Sequence, residues 1–327
     1  MGLHMVCQVL RLANLLSIVL LTTSAEILKR SPHGDELADE LFNDRVPIAR
    51  RMQHLFELRS KGAQGNEKAI QEMKTGIRSK SVLLRHEVAY LLGQMQHKKS
   101  IPFLVSILNC TEEHPIVRHE AAEALGAIGD PLSESILKVY TDANSPVEVS
   151  DTCKLALSRL AWLREQREQD GIDQSSAPSR QRYISIDPAP PLSSSSSAVK
   201  ATTVAVDRLG ERLLDKSLSL FERYKAMFSL RVRWPKGFQD KNAVLRHELA
   251  FVLGQMACES AVSYLRERLQ DEGEHAMVRH EAAEALGAIL TSECKTVLQQ
   301  YLSHPNPLVR ESCEVALDMY LDEIGQN

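Results

Sequence analysis

Aromatic side chains are scarce in this chain: seven Phe, seven Tyr and two Trp make up 5% of its 327 residues. Runs that alternate apolar and polar residues are equally few, which argues against a sheet core and for an all-α chain rich in Ala and Leu. Only six cysteines occur, at positions 7, 110, 153, 258, 294 and 313. None has CxxC spacing, so neither a zinc knuckle nor a disulfide scaffold is indicated, and a reducing compartment is the default. Excess positive charge is missing too, and a formal net charge of −4 speaks against a nucleic-acid partner. HExxH is absent, which excludes a zincin with two histidines four apart on one helix. The apolar run from Leu12 to Ala25 is too short for a membrane span. With Arg11 before it and Thr23-Ser24-Ala25 at its end, it reads as a signal-like segment or an extension with no role in the fold. A membrane partner is not expected, and the expected location is cytoplasmic.

What the chain does have is one tetrapeptide four times. Leu-Arg-His-Glu or Val-Arg-His-Glu stands at Leu84–Glu87, Val117–Glu120, Leu245–Glu248 and Val278–Glu281. His86 and His119 are 33 residues apart, as are His247 and His280, and each first-half histidine precedes its counterpart by 161 residues. The pattern is a repeat within a duplication. Each copy opens a helix with an apolar stripe, for example Leu84, Val88, Leu91, Leu92 and Met95. At roughly 100° per residue the stripe centres near ~25°, the histidine falls near ~200° and the glutamate near ~300°. The histidines therefore point away from their own helix's core. For a single pair the ordinary reading is an exposed polar face with a glutamate favouring the helix dipole. Four matched pairs on stacked helices instead gather four imidazoles and four carboxylates, a ligand set that suits one binuclear centre with positions left for water or substrate.

The remaining signals organise the chain around these copies. Pro47, Pro102, Pro131 and Pro146 punctuate helix pairs of about 33 residues, the mark of a helical-repeat solenoid in which each unit buries its face against its neighbours. Residues 1–34 form the N-terminal extension, 35–166 the first repeat half, 167–203 a linker with a flexible serine run at Ser193–Ser197, and 204–327 the second half. In the outer repeats Asp151 and Thr152, and likewise Glu311 and Ser312, stand where a His-Glu pair would be. These repeats are expected to be plain caps. The second half is eleven residues short before His247, so one of its helices is expected to be missing. From the residues alone a two-metal hydrolase using Zn or Mn, or a scaffold whose pairs only cap helices, remains open.

Four ordered His-Glu pairs, the linker string Tyr183–Pro191 and the closing Val309–Tyr320 resemble the deoxyhypusine hydroxylase family, over roughly Asp35 to the C-terminus. The resemblance implies two HEAT-like halves and a non-haem monooxygenase with two Fe(II) ions per chain. Its implied substrate is the deoxyhypusine side chain on eukaryotic translation factor 5A, hydroxylated to hypusine with O2 and an unknown reductant. It implies metal ligation by His86, Glu87, His119, Glu120, His247, Glu248, His280 and Glu281. Within that set His86, His119 and Glu248 would hold one iron and His247, His280 and Glu87 the other, leaving Glu120 and Glu281 to face the substrate. The chemistry agrees, since breaking an unactivated C–H bond needs a redox metal that binds O2, and zinc cannot do this.

Overall fold

A computed structural model of the chain describes residues 40–169, 186–192, 203–230 and 235–325. Every regular element among them is helical, as the scarcity of alternating runs predicts. The apolar run Leu12–Ala25 lies outside the described residues, and no described helix is long and apolar enough to cross a membrane.

The first run of helices is α1 (Ile48–Ala63), α2 (Glu67–Thr75), α3 (Val82–Gln94), α4 (Ile101–Asn109), α5 (Pro115–Ile128), α6 (Glu134–Val139) and α7 (Val147–Gln169). The second is α8 (Thr203–Leu214), α9 (Leu220–Leu230), α10 (Ala243–Gln255), α11 (Val262–Gln270), α12 (Ala276–Ile289), α13 (Ser292–Gln299) and α14 (Pro307–Gly325). Prolines start helices where no backbone N–H is needed: Pro102 and Pro115 sit in the first turns of α4 and α5. Pro47 stands one residue earlier than that, at the N-cap of α1. The expected helix around Leu37 and Leu41 is a turn at residues 40–43, with Leu37 outside the described residues. The shortfall in the second half falls as expected, because the described residues before α10 hold only a short 3-10 turn, Pro235–Gln239, where the first half has α2. Phe238 of that turn is buried and Gly237 lies against Leu249, so the turn covers part of what a helix would have covered.

The helices that carry the four motifs, α3 and α5 in one run and α10 and α12 in the other, stack side by side almost without a gap. A methyl group built on Gly93 would lie 2.6 Å from the Cα of Ala124, and one on Gly254 would lie 2.8 Å from the Cα of Ala285. Only glycine permits backbones that close. Gly126 against Ala156 and Gly287 against Ala316 repeat the arrangement one helix further out, with α7 and α14.

The two runs then meet at both ends. Helix α7 packs on α9 and α10, and α14 packs on α1 and α3. At one seam Asn242, the N-cap of α10, donates to Asp151 across 2.7 Å; at the other Ser81, the N-cap of α3, donates to Glu311. Asp151 and Glu311 are the outer-repeat residues that stand in place of histidines. They are therefore more than plain caps: they close the two runs on each other around a pseudo-two-fold axis. Of the segment 167–203, residues 167–169 belong to α7, Thr203 opens α8, and residues 186–192 are described and packed, with Asp187, Pro188, Ala189 and Pro190 buried, while Ser193–Ser197 lies outside the described residues.

Candidate metal centre

Closure of the two runs buries the motif helices all round, so the histidine face, opposite each helix's own apolar stripe, is covered by the other run. His86, His119, His247 and His280 are at most 5% exposed. This disposes of the exposed-face reading. Helix capping is excluded as well, because the N-caps of α3, α5, α10 and α12 are Ser81, His114, Asn242 and His275.

The arginine of each motif fixes its helix, a role the spacing of the tetrapeptide did not reveal. Arg85 forms a two-pronged pair with Glu113 and donates to the Ser79 carbonyl; Arg246 does the same with Glu274 and the Asp240 carbonyl. Arg118 and Arg279 donate to the Leu108 and Leu269 carbonyls at the ends of α4 and α11, 3.0 Å in both cases. Planar guanidinium forks suit these multiple acceptors. Each motif thus carries its own clamp beside its candidate ligands.

The four imidazoles converge about the axis. Ring centroids of His86 and His280 are 5.1 Å apart and those of His119 and His247 5.5 Å, two distances that the exchange of halves interconverts. Carboxylates wall the cluster: Glu120 Oε2 is 3.1 Å from His86 Nε2 and 3.6 Å from His119 Nε2, Glu281 Oε2 is 3.3 Å from His247 Nε2, and Glu87 Oε1 is 3.2 Å from His86 Nδ1. Ligand atoms of His86, His247 and His280, of His86, His119 and Glu120, and of His280, Glu281 and Glu284 lie close enough together to hold a metal ion. The first of these sets crosses the two runs. In the structure the carboxylates nearest the histidines are Glu120, Glu87 and Glu281, each beside rings of its own half.

Polar atoms at this place lack hydrogen-bond partners. Both ring nitrogens of His247 and His280, Nε2 of His86 and His119, and Oε1 of Glu248 are buried without one. Buried polar groups are nearly always paired, and so many orphans at one point fit a site built for a ligand other than protein. The two exceptions are Nδ1 of His86, 3.2 Å from Glu87 Oε1, and Nδ1 of His119, bonded at 2.7 Å to the hydroxyl of Thr152, the residue that replaces a glutamate in the outer repeat. Fixing one ring nitrogen orients the other.

Burial holds His119, His247 and His280 well below the ordinary histidine range, in the neutral form that binds metals. Burial would also lower His86, but Glu120 and Glu87 outweigh it and raise that ring well above its usual value. Glu248 and Glu281 are pushed well up, first by burial and then by neighbouring carboxylates. The described residues of the site thus carry protons that a cation would displace.

Two further carboxylates, Glu123 and Glu284, belong to this group. Each follows its histidine by four residues and so shares its face. Their signal was in the sequence, in the string RHEAAEALGAI that occurs identically at 118–128 and 279–289. The other two copies carry Tyr90 and Phe251 at this position, and those rings pack edge to face at 6.1 Å. Glu284 Oε1 is 3.5 Å from His280 Nδ1, and burial pushes its carboxyl up to about 7.

The chain is similar to known proteins over most of its length. A profile of HEAT repeats matches residues 63–157 and 236–318. Deoxyhypusine hydroxylase of Homo sapiens is 44% identical over 300 residues, covering 89% of this chain and 92% of that protein. The Candida albicans enzyme of the same name is 42% identical over 301 residues, 88% and 92% of the two chains. The solved structure of human deoxyhypusine hydroxylase in complex with glycerol superposes with a TM-score of 0.76 at 44% identity, covering 88% of this chain and 96% of that one.

Proposed function

Because the chain belongs to the deoxyhypusine hydroxylase family, we propose that it hydroxylates the deoxyhypusine side chain of eukaryotic translation factor 5A in the cytoplasm, with two Fe(II) ions at the axis between its repeat halves. The observation that carries the reading is the cluster of buried imidazole nitrogens without partners, walled by carboxylates. That donor set fits iron, since imidazole and carboxylate together suit a non-haem centre with open positions. His86 and His119 with Glu248, and His247 and His280 with Glu87, would hold the two ions. Bound iron supplies the activation of O2 that no side chain can.

The chain's own residues do the rest. Thr152 holds His119 by Nδ1 and so aims Nε2 inward. Glu120 lies 3.1 Å from His86 Nε2 and, with Glu87, raises that ring above its usual value against the effect of burial; were His86 to hold an ion, Glu120 would be left to accept an ammonium group of the substrate. Glu281 stands in the matching place beside His247. Tyr90 and Phe251 cover the centre with apolar ring surface and so help to keep water away. In the net reaction one oxygen atom enters a C–H bond of the side chain, and the other leaves as water with two electrons from a reductant and two protons.

The test uses the full chain loaded anaerobically with Fe(II), then given O2, a reductant and the deoxyhypusine form of the translation factor. Mass spectrometry should show the gain of one oxygen atom on that side chain, with two irons per chain. A chain that binds iron and leaves the substrate mass unchanged refutes the activity.

A further inference from the structure

The ligands obey the pseudo-two-fold symmetry, and their surroundings do not. Exchange of the halves relates Glu123 to Glu284, so these carboxylates mark the two ends of the centre. At the Glu123 end, a small cavity is lined by Glu123, Thr152, Arg159 and Pro188. Arg159 donates from Nε to the Gly126 carbonyl and from Nη1 to the Asp187 carbonyl, 3.1 and 2.6 Å. The segment 186–192 runs across this end as a strap. Its backbone is tied to Gln94 of α3 at Ile186 N and to Ser229 of α9 at Leu192 N, 2.7 Å each, so it reaches from one half to the other.

The Glu284 end has neither feature among the described residues. Ala156 and Ala316 occupy the same place against Gly126 and Gly287, so the counterpart of Arg159 is Met319, which is 47% exposed. Glu284 itself keeps 27% of its side chain exposed while touching His280. It therefore reaches from the surface to the histidine cluster, and Glu123 is likewise half-buried at the other end. Apart from the histidine rings of the site, no described cation stands beside Glu284. Its Oε1, like Oε2 of Glu123 at the other end, is buried without a hydrogen-bond partner, so the ends differ in Arg159 and the strap.

Deoxyhypusine carries two ammonium groups joined by a four-carbon chain, with the hydroxylated carbon between them. Such a chain is repelled by a guanidinium and attracted by an uncompensated carboxylate. We propose that the substrate side chain enters at the Glu284 end, where Glu284 holds its leading ammonium group, and that Arg159 and the 186–192 strap close the Glu123 end to cations. This rests on the function proposed above and adds a direction to it.

Three substitutions in the full-length, iron-loaded protein test it. Glu284→Gln should raise KM for the deoxyhypusine protein about tenfold, the loss of one hydrogen bond to a charged group, with iron per chain unchanged and with recovery in Glu284→Asp. Met319→Arg, at an exposed position where folding is safe, places a guanidinium where Arg159 stands at the other end and should raise KM similarly. Leu132→Arg, adding the same charge at an exposed apolar site elsewhere, should leave KM within about twofold. Calorimetric binding of spermidine, which contains the same aminobutyl amine, reads the entry without turnover. It should weaken about tenfold in Glu284→Gln and stay within about twofold in Glu123→Gln. Equal losses in these two variants, or an unchanged KM in Met319→Arg, would overturn the directional entry. A wild-type protein that binds spermidine at Glu284 but hydroxylates nothing would remove the proposed reaction and leave the entry standing.

Discussion

The backbone contact at Gly93 offers a quantitative test of how the helix stack serves the centre. In Gly93→Ala the new methyl lies 2.6 Å from the Cα and 2.7 Å from the Cβ of Ala124. Carbon atoms in contact prefer about 3.5–4.0 Å, and the nearer obstacle is backbone, so α3 and α5 must part by about 1 Å. Overpacking of this kind costs about 1–3 kcal/mol, and at roughly 2–4 °C per kcal/mol for a chain somewhat shorter than this one the unfolding midpoint should drop measurably. The effect on the metals should be larger than on the fold. His86 lies two turns before Gly93, about 10 Å along the same rigid helix, and metal–ligand distances tolerate only about 0.2 Å. Iron per chain, measured after gel filtration, should fall below two. Gly254→Ala, with its methyl 2.8 Å from the Ala285 Cα, should behave alike in the other half. Gly65→Ala supplies the contrast: its methyl meets nothing within 4 Å and only its φ of +91° is strained, so it should lose about 1–2 kcal/mol of stability and keep its iron. If Gly93→Ala retains full iron while Gly65→Ala loses it, the stack does not set the ligand geometry.

Replacing His119 or His280 by Ala should lower iron toward one per chain or fewer and abolish hydroxylation; two irons retained in either variant, by metal analysis, would remove that histidine from the ligand set. Arg85→Met should loosen α3 from the loop that carries Glu113 and cost about 2–4 kcal/mol, because Glu113 is left largely buried without its partner, as read from denaturant unfolding of the metal-free protein. Metal binding should release protons and tighten as pH rises. Glu281 and Glu284 have raised values, the latter about 7, so in the metal-free fold they favour stability at low pH that is lost as pH rises through those values. The gap in unfolding temperature between iron-loaded and metal-free protein should therefore widen from about pH 6 to about pH 8; a constant gap would mean that the carboxylates do not exchange protons for metal.

Much of this was legible in the chain because helical periodicity and repeat spacing are local. The stripe of Leu84, Val88, Leu91 and Leu92, the prolines that open helices and the eleven-residue shortfall before His247 all reappear as packed elements. The face of the histidines was legible as well, but not its burial, which depends on closure between residues some 230 positions apart, such as Ser81 and Glu311. For the same reason Asp151 and Glu311 read as lost ligands and are seam residues. The strap at 186–192 has no periodicity to betray it; it donates from Ile186 N to Gln94 and from Leu192 N to Ser229, and accepts from Arg159 at the Asp187 carbonyl. Glu123 and Glu284 stood in plain view four residues after their histidines, and the equal spacing of the His-Glu pairs drew attention away from them.

The asymmetry follows from the way the symmetry was made. Two copies of one repeat unit, closed end to end, generate a centre whose two sides are equivalent, and a substrate with one reacting carbon would meet two equal approaches. Joining the copies in one chain requires one connection, and a connection can cross only one side. Here part of that crossing, 186–192, lies over the end marked by Glu123, where the outer repeat also supplies Arg159. At the other end the matching outer repeat supplies Met319, and no described segment crosses. The covalent link that keeps the halves at high effective concentration thus also distinguishes one end of the centre from the other. The His-Glu positions match between the halves, as the proposed pair of ions requires, whereas the outer-repeat residues Arg159 and Met319 differ.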